Sequence, residues 1–464
     1  MKIPSLILAA TALVCAATAP AQIPGMPESD IAAWFAAGLK AQETTPPQTA
    51  GTDVTARPPH FPGKTIDISQ IAEARAQVWA AWQAANAMAD EEKLPAAPRP
   101  IAEADSGRLH IPASLEPNAV MSYYYGVKGE KPAEGYPLFL YIHGSGAPAR
   151  EWSNGLYFAQ TFRDGPSAYF VPRIPNTGDY YRWYQKGKQY VWQKLIRQTL
   201  ANSTVDPARI YFFGISEGGY GSQRLASFYA DYLAGAGPMA GGEPLANAPA
   251  ENLGNIAFSF RTGDKDTGFY RNTLTRYTAE ALDSLAALYP GRYVHNVELI
   301  PGKGHHIDYR PTTPWLSVFK RNPHPKSFIW EDFEMDGVRR AGFYNLQVLD
   351  RPDPEQRTRY TVAITGNNIA ITADNITYTT TETDPHWGIA MKFARSYTPA
   401  TSGRLRVYLD TDMVNLSKPV TVTVNGRRVF HGKVKPTVDA MLMSTALFGD
   451  PLRIFPAEVT VDIR

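Results

Sequence analysis

Residues 205–221 read VDPARIYFFGISEGGYG, and this stretch decides the fold. The apolar run Ile210–Phe213 predicts a buried β-strand, and the residues from Gly221 onward predict a helix. Between them, Gly214–Gly218 forms a G-x-S-x-G motif, whose glycines are needed because nothing bulky fits beside a sharp strand-to-helix turn. The spacing is not G-x-G-x-x-G, so these glycines do not indicate a nucleotide site. We therefore expect Ser216 to be a nucleophile.

A second glycine-containing turn lies upstream of this motif. Residues 143–146 read HGSG and follow an apolar run that predicts another buried strand. In enzymes with a serine on a strand-to-helix turn, this loop and the residue after the serine donate the backbone N–H groups of the oxyanion hole. These donors would be Ser145 (or Gly146) and Glu217. His143 is expected to brace the loop rather than to act as a base.

Two aspartates downstream compete for the role of the acid. The strand predicted over residues 256–261 ends in the sequence TGDKD, which contains Asp264 and Asp266. An acid is expected at a strand end, between the serine and the histidine in chain order. Both aspartates meet this condition, and the one that is not used would cap the next turn.

Two neighbouring histidines compete for the role of the base. The strand predicted over residues 294–300 ends in the sequence PGKGHH. His305 follows a glycine on a loop that is free to lean over the sheet, so it is the preferred base. His306 is the alternative. Without one of them, the serine would have no group to accept its proton.

These four ordered motifs resemble the α/β-hydrolase superfamily over roughly residues 105–325. The resemblance implies a mainly parallel sheet flanked by helices. It also implies a triad of Ser216, His305 and Asp266, since the family's G-x-x-D spacing selects Asp266. The chemistry implied is acyl transfer through an acyl-enzyme, with no metal and no organic cofactor.

Two further resemblances narrow the expected function. The segment Val205–Ile210 is similar to the lead-in of secreted bacterial esterases and of prolyl-oligopeptidase-type catalytic domains. The C-terminal region, with Asn322–Lys326 at its junction, is similar to carbohydrate esterases of the pectin methylesterase type. The implied activity is ester hydrolysis on a plant cell-wall polysaccharide such as pectin. The alternatives are a secreted serine peptidase, for which the N-terminal residues are too few to form a propeller, and a binding protein, which a filled triad disfavours.

The order of predicted elements gives an α/β fold class with an N-terminal helical extension and a C-terminal β-rich domain. The helix is expected over Asp67–Lys93, and three strand-like runs, at 360–364, 369–373 and 376–380, are spaced for hairpins. The turn Asn425-Gly426 is a strong two-residue hairpin signal. The expected segments are a signal peptide (1–21), an extended arm and helix (22–104), a catalytic domain (105–325) and a β-rich C-terminal domain built as a small sandwich (326–464).

Composition and charge exclude several classes of protein. The chain has 464 residues, with 46 Lys+Arg against 44 Asp+Glu and therefore a net charge of +2. Such a balanced charge does not indicate a protein that binds nucleic acid or an anionic membrane, because both need an excess of basic residues. The only cysteine, Cys15, lies in the apolar run Leu6–Ala19, which follows Lys2 and precedes a small-residue cleavage site. We therefore expect an exported protein without disulfides.

An aromatic-rich segment is the predicted substrate-binding element. Six of the 13 residues from Tyr180 to Trp192 are aromatic: Tyr180, Tyr181, Trp183, Tyr184, Tyr190 and Trp192. With Trp152, this segment is expected to form a wall of aromatic rings that stack on sugar rings. The alternative is that half or more of these rings are buried in the hydrophobic core. Arg173 and Arg182 would pair with a uronate carboxylate.

Overall fold

The computed structural model describes residues 27–41 and 65–464. The predicted signal peptide and Cys15 lie outside these residues. None of the helices within the described ranges is long and apolar enough to cross a membrane.

Two N-terminal helices pack on each other ahead of the central sheet. Helix α1 spans Glu28–Ala41, and α2 spans Ile71–Met88 after a short 3-10 turn. The rings of Phe35 and Trp82 meet edge to face with centroids 5.0 Å apart. The expectation of an extended arm from residue 22 is therefore wrong for α1. Its buried Ile31, Phe35 and Leu39 recur every four residues, which places them on one face of a helix.

Eight strands form the central sheet. They are β1 (Ser106–His110), β2 (Val120–Lys128), β3 (Tyr136–Ile142), β4 (Ser167–Pro172), β5 (Val205–Ile215), β6 (Gly235–Met239), β7 (Ala257–Gly263) and β8 (His295–Ile300). Their order is β1-β2-β4-β3-β5-β6-β7-β8, and all pairs from β4 to β8 are parallel. The predicted parallel sheet is confirmed. Strand β6 was missed because its sequence GAGPM lacks the β-branched and aromatic residues that strands favour.

Helices cover both faces of this sheet. They are α3 (Pro148–Thr161), α4 (Lys186–Ala201), α5 (Glu217–Tyr229), α6 (Arg271–Leu288) and α7 (Thr312–Leu316). Successive residues of β3 enter two separate cores: Leu138 and Leu140 pack with α4 and α5, whereas Phe139 and Tyr141 pack with α3 and α7. Burial on both faces explains why this strand is a continuous apolar run rather than an alternating one.

Ten strands after residue 326 form two further sheets. They are β9 (Ser327–Asp332), β10 (Gly342–Phe343), β11 (Leu346–Asp350), β12 (Arg357–Thr365), β13 (Asn368–Thr383), β14 (Ala390–Pro399), β15 (Arg404–Leu409), β16 (Val420–Val424), β17 (Arg427–Gly432) and β18 (Ala457–Asp462). One sheet has the order β10-β11-β15-β18, and the other has β17-β16-β13-β12-β9 with β14 on β13. Trp330 and Phe343 stack between them with centroids 5.4 Å apart, as expected for a sandwich.

In the β-rich region, one predicted hairpin is absent and one predicted turn is present. The runs at 369–373 and 376–380 belong to the single strand β13, because Asp374 and Asn375 keep their pairing with β12 instead of turning. The predicted Asn425-Gly426 turn is present, with positive φ at both residues (49° and 77°). A fully buried helix, α8 (Val438–Phe448), was not predicted.

A buried ionic network joins the β-rich region to the central sheet. Asp231 follows α5, and its Oδ2 accepts hydrogen bonds from Arg340 Nη2 at 2.9 Å and from Arg453. Asp450 accepts from Arg453 Nε at 2.7 Å and from Arg321 Nη2 at 3.0 Å. All of these side chains are nearly inaccessible to solvent. Removing one charge from the network therefore leaves buried partners without compensation.

We expect Asp231→Asn to lower the free energy of unfolding by about 3–5 kcal/mol, the cost of breaking a buried ion pair. Urea denaturation followed by circular dichroism measures this change. The matched control is Asp105→Asn, because Asp105 pairs with Arg99 where both side chains are exposed. That substitution should cost less than about 1 kcal/mol. Equal losses in the two variants would show that the network does not stabilise the fold.

Candidate active site

The predicted serine turn lies at the end of β5. Ser216 has φ 57° and ψ −115°, an unusual conformation for a residue with a side chain, and α5 begins at the next residue. A Cβ atom on Gly218 would lie 2.0 Å from the carbonyl oxygen of Ile142, and one on Gly214 would lie 2.5 Å from that of Gly218. The two motif glycines are thus required by close backbone packing, and this packing holds Ser216 in its strained conformation.

Three side chains from separate strand ends meet in one hydrogen-bonded relay. His305 Nε2 lies 3.0 Å from Ser216 Oγ, and His305 Nδ1 lies 2.8 Å from Asp266 Oδ2. Asp266 follows β7 and is buried, whereas Asp264 is exposed. His306 is also exposed, and its ring centroid lies 6.0 Å from that of His305. The structure therefore brings together Ser216, His305 and Asp266 and leaves both alternatives outside the relay.

Arg271 holds the second oxygen of Asp266. Its Nε and Nη2 donate to Asp266 Oδ1 at 2.9 and 2.7 Å. Burial alone would raise the pKa of Asp266, but hydrogen bonds from His305 and Arg271 outweigh it and hold the pKa below its usual value. Asp266 is therefore ionised. Sequence reasoning missed Arg271, which no motif marks.

The loop after β3 lies directly against the serine. A Cβ atom on Gly144 would be 3.3 Å from Ser216 Cβ. The carbonyl oxygen of Gly144 accepts hydrogen bonds from the hydroxyl of Tyr181 at 2.8 Å and from His143 Nδ1 at 2.7 Å. Because the peptide is trans, the N–H of Ser145 points away from these two donors.

His143 braces this loop, as predicted. It is fully buried, and its Nε2 accepts from the N–H of Ile174 at 3.1 Å while Nδ1 donates to Gly144. Burial lowers its pKa to about 4, so the ring stays neutral. Both ring nitrogens are occupied, and neither is available to Ser216.

The arrangement decides the fold. A serine turn after a central parallel strand, an acid and a histidine after later strands in that chain order, and a loop after β3 that lies against the serine define one fold. This is the α/β-hydrolase fold. No known family profile matches the chain.

Two curated proteins are similar to parts of this chain. A Nocardia uniformis subsp. tsuyamanensis protein named "Putative esterase NocK" is 28% identical over 193 residues, covering 39% of this chain and 55% of that protein. Poly(3-hydroxyalkanoate) depolymerase C of Paucimonas lemoignei is 30% identical over 74 residues, covering 14% of this chain and 18% of that protein. The chain thus spans about half or less of the length of these relatives.

Two solved structures resemble the chain over about half its length. The ferulic acid esterase AmCE1/Fae1A of Anaeromyces mucronatus is 13% identical, with 46% of this chain and 88% of that chain covered and a TM-score of 0.34. LpqC, a poly(3-hydroxybutyrate) depolymerase of Bordetella parapertussis, is 15% identical, with 47% and 88% covered and a TM-score of 0.35. These scores are low, and the fold rests on the strand order and the serine turn.

A cavity of about 460 Å³ opens beside the serine. Ser216, Ser145 and Glu217 all line it. Glu217 is the first residue of α5, and the first N–H groups of a helix have no intrahelical acceptor. Both predicted N–H donors therefore lie at the same cavity as the serine. The remaining lining residues are of mixed character and include the charged Arg182 and Arg224 and the aromatic Tyr184 and Tyr220.

Of the predicted aromatic wall, Tyr184 lines the cavity beside Ser216, whereas Trp152 and Trp183 are not among the lining residues. Trp183 is 0% exposed, and its Nε1 donates to the carbonyl oxygen of His143 at 2.8 Å. Trp152 is half-buried, stacks on Tyr124 with centroids 4.4 Å apart, and donates to the carbonyl oxygen of Val171. These rings pack beneath the active-site loops, because burying large apolar rings is strongly favourable and their N–H groups find acceptors there.

The two arginines proposed to bind a uronate have different positions. Arg182 lines the cavity, and its Nη1 lies 3.4 Å from Glu217 Oε2. Arg173 is half-buried, close enough to His143 to affect its pKa, and is not among the residues that line the cavity. Only Arg182 therefore remains a candidate for contact with a substrate.

The carboxyl group of Glu217 is an unusual feature of the site. Burial raises its pKa to about 7, against the opposing effect of Arg182, whose side chain is half exposed and therefore screened by water. Its Oε1 is buried and has no hydrogen-bond partner among the described residues. The folded state thus keeps a proton that the unfolded state loses above its ordinary pKa of 4.5.

We expect stability to fall as the pH rises from about 4.5 through about 7, because a raised folded-state pKa favours folding only below that range. Glu217→Gln stays neutral and should remove this fall. Its advantage over the wild type should grow between pH 5 and 8, to at most about 3 kcal/mol. Thermal denaturation at several pH values measures it. Glu280→Gln, on the exposed surface of α6, is the control; an unchanged pH profile in Glu217→Gln would contradict the expectation.

Proposed function

We propose that this protein is a secreted serine hydrolase that cleaves carboxylic esters on a carbohydrate. The observation that carries the proposal is the relay from Ser216 Oγ through His305 to Asp266, with hydrogen-bond distances of 3.0 and 2.8 Å, on a strained serine turn. Such a relay activates a serine for attack on a carbonyl carbon. Residues 1–21 supply the signal for export.

The reaction proceeds in two halves. Ser216 Oγ attacks the ester carbonyl carbon while His305 Nε2 takes the hydroxyl proton, and the carbonyl oxygen becomes an oxyanion. Collapse of this intermediate breaks the bond to the alcohol, which leaves with the proton from His305. Water then attacks the acyl-enzyme and gives its proton to His305, and the acid is released as Ser216 regains a proton. Water is the only co-reactant that these steps require.

Asp266 and the two N–H donors stabilise the charges that develop. Asp266 accepts a hydrogen bond from the Nδ1–H of His305, which keeps Nε2 free to receive the serine proton and stabilises the imidazolium. Arg271 keeps Asp266 ionised and oriented through two hydrogen bonds. In this proposal the N–H groups of Ser145 and Glu217 hold the oxyanion, a contribution that is often worth several kcal/mol.

The two curated relatives, named as an esterase and as a poly(3-hydroxyalkanoate) depolymerase, support an ester as the bond that is cleaved. Two further points favour an ester on an acidic polysaccharide such as pectin. Arg182 lies at the cavity with its guanidinium half exposed, where it can pair with a uronate carboxylate. The β-rich region after residue 326 resembles that of carbohydrate esterases of the pectin methylesterase type.

Hydrolysis assays test the proposal directly. The purified protein should hydrolyse p-nitrophenyl acetate and react with a fluorophosphonate at Ser216, whereas a peptide p-nitroanilide should be a poor substrate. A panel of methyl-esterified galacturonate, acetylated xylose and feruloylated arabinose oligosaccharides identifies the acyl group and the sugar. Faster cleavage of the anilide would establish a peptidase, and absence of both labelling and turnover would refute a serine hydrolase.

A further inference from the structure

Two exposed aromatic rings lie together at the mouth of the cavity. Phe269 is 46% exposed, Trp387 is 54% exposed, and their ring centroids are 4.7 Å apart. Phe269 lines the same cavity as Ser216. Large rings are rarely left this exposed, because covering them removes apolar surface from water. We call Phe269 and Trp387 the rim pair.

Trp387 belongs to the β-rich region. It stands on the turn between β13 and β14, so the β-rich region reaches the active-site cavity of the α/β-hydrolase fold. Ile389, from the same turn, lines the cavity directly. The turn is held by Asp384, whose carboxylate accepts the N–H groups of His386 and Trp387 at 3.0 and 2.5 Å. The ring of Trp387 is thus presented by a well-defined backbone.

The turn is attached to the segment that carries Phe269. Asp384 lies close enough to the Tyr270 hydroxyl to raise the pKa of that hydroxyl. Nearer the base of the hairpin, Glu382 pairs with Lys392 at 2.8 Å, and the ammonium group of Lys392 lies 4.5 Å from the ring centroid of Tyr277 on α6. These contacts fix the position of Trp387 relative to Phe269.

The backbone that presents Phe269 is strained. Phe269 and Tyr270 have φ values of 51° and 57°, which cost about 1–3 kcal/mol each for residues with large side chains. The segment lies between Asp266 and Arg271, the two residues of the carboxylate–guanidinium pair beside His305. Strain of this kind clusters at active sites and ligand-binding segments, and Phe269 lines the cavity that contains Ser216.

We propose that the rim pair is a binding subsite for a sugar ring of the substrate, next to the ester that Ser216 attacks. The apolar face of a pyranose or furanose ring can cover the exposed aromatic faces. Its hydroxyl groups can meet the polar side chains of the adjoining cavity, Arg182 and Asn247 among them. The subsite rests on the proposed function, since it needs an ester carried on a saccharide.

Substitution of the rim pair tests the subsite. In Trp387→Ala and in Phe269→Ala, kcat/KM for the best oligosaccharide ester of the panel should fall about tenfold more than kcat/KM for p-nitrophenyl acetate. The fall should lie in KM. Trp387→Tyr keeps an aromatic face and should restore most of the loss. The control is Tyr397→Ala, which removes a ring that is 43% exposed on β14 of the same hairpin, away from the turn, and which should change neither substrate's turnover.

Direct binding separates failure of the subsite from failure of the proposed function. Ser216→Ala, which retains the rim pair, should bind the same oligosaccharide ester with a change in tryptophan fluorescence that Ser216→Ala/Trp387→Ala lacks. Equal losses on both substrates, or identical binding with and without Trp387, would overturn the subsite. Turnover of p-nitrophenyl acetate with no turnover or binding of any oligosaccharide ester would also overturn it, while leaving a serine esterase intact.

Discussion

Ser216→Ala should lower kcat for ester hydrolysis by about 10⁶-fold, the size of the loss when such a relay is deprived of its nucleophile. The variant retains both N–H donors and the cavity, so a small residual rate from binding and oxyanion stabilisation should remain. Its folding should match the wild type, because alanine removes only the Oγ atom. Initial rates with p-nitrophenyl acetate, with burst titration of active sites, measure the loss.

Covalent labelling provides the second readout for Ser216. A fluorophosphonate should modify the wild type at this one serine and should not modify Ser216→Ala. Ser153→Ala, on the exposed face of α3, serves as the control and should keep full activity. Turnover in the purified Ser216→Ala variant above about 1% of the wild-type rate would assign the chemistry to another group.

His305→Ala should lower kcat by a similar factor, about 10⁵–10⁶-fold, because the serine then has no group to accept its proton. His306→Ala is the matched control, since this neighbouring ring is exposed and outside the relay. It should keep activity within about threefold of the wild type, as expected of a substitution that leaves the relay intact. The two variants are compared at saturating p-nitrophenyl acetate. A larger loss in His306→Ala than in His305→Ala would reverse the assignment of the base.

The serine turn was predictable because its requirements are local. A strand, a turn that only glycines permit and a helix follow one another within about fifteen residues, and each leaves its own mark on the sequence. The loop at 143–146 was predictable for the same reason, and the structure places it against Ser216. The role of His143 also followed from its position at a strand end.

Burial of aromatic residues was not predictable in the same way. Trp183 and Trp387 are the same residue type, yet the first is fully buried under the loop after β3 and the second is half exposed. Which ring is covered depends on elements far away in sequence. A local count of rings cannot distinguish core from surface, and for that reason it did not separate Tyr184, which lines the cavity, from the buried Trp183 beside it.

The sequence by itself determined the α/β class, the strained turn at Ser216 and the short list of partners, since periodicity, glycine and chain order are properties of neighbouring residues. Only the tertiary structure decided between Asp264 and Asp266, and between His305 and His306. Neighbouring positions on one loop carry the same sequence signals. In the folded chain, however, only Asp266 and His305 reach the neighbouring strand ends and form the relay to Ser216. The tertiary structure also decided that Arg271 contacts Asp266 and that the turn of a distant β-hairpin lies beside Phe269. Such contacts could not be predicted, because they form between groups that are brought together only in the folded chain.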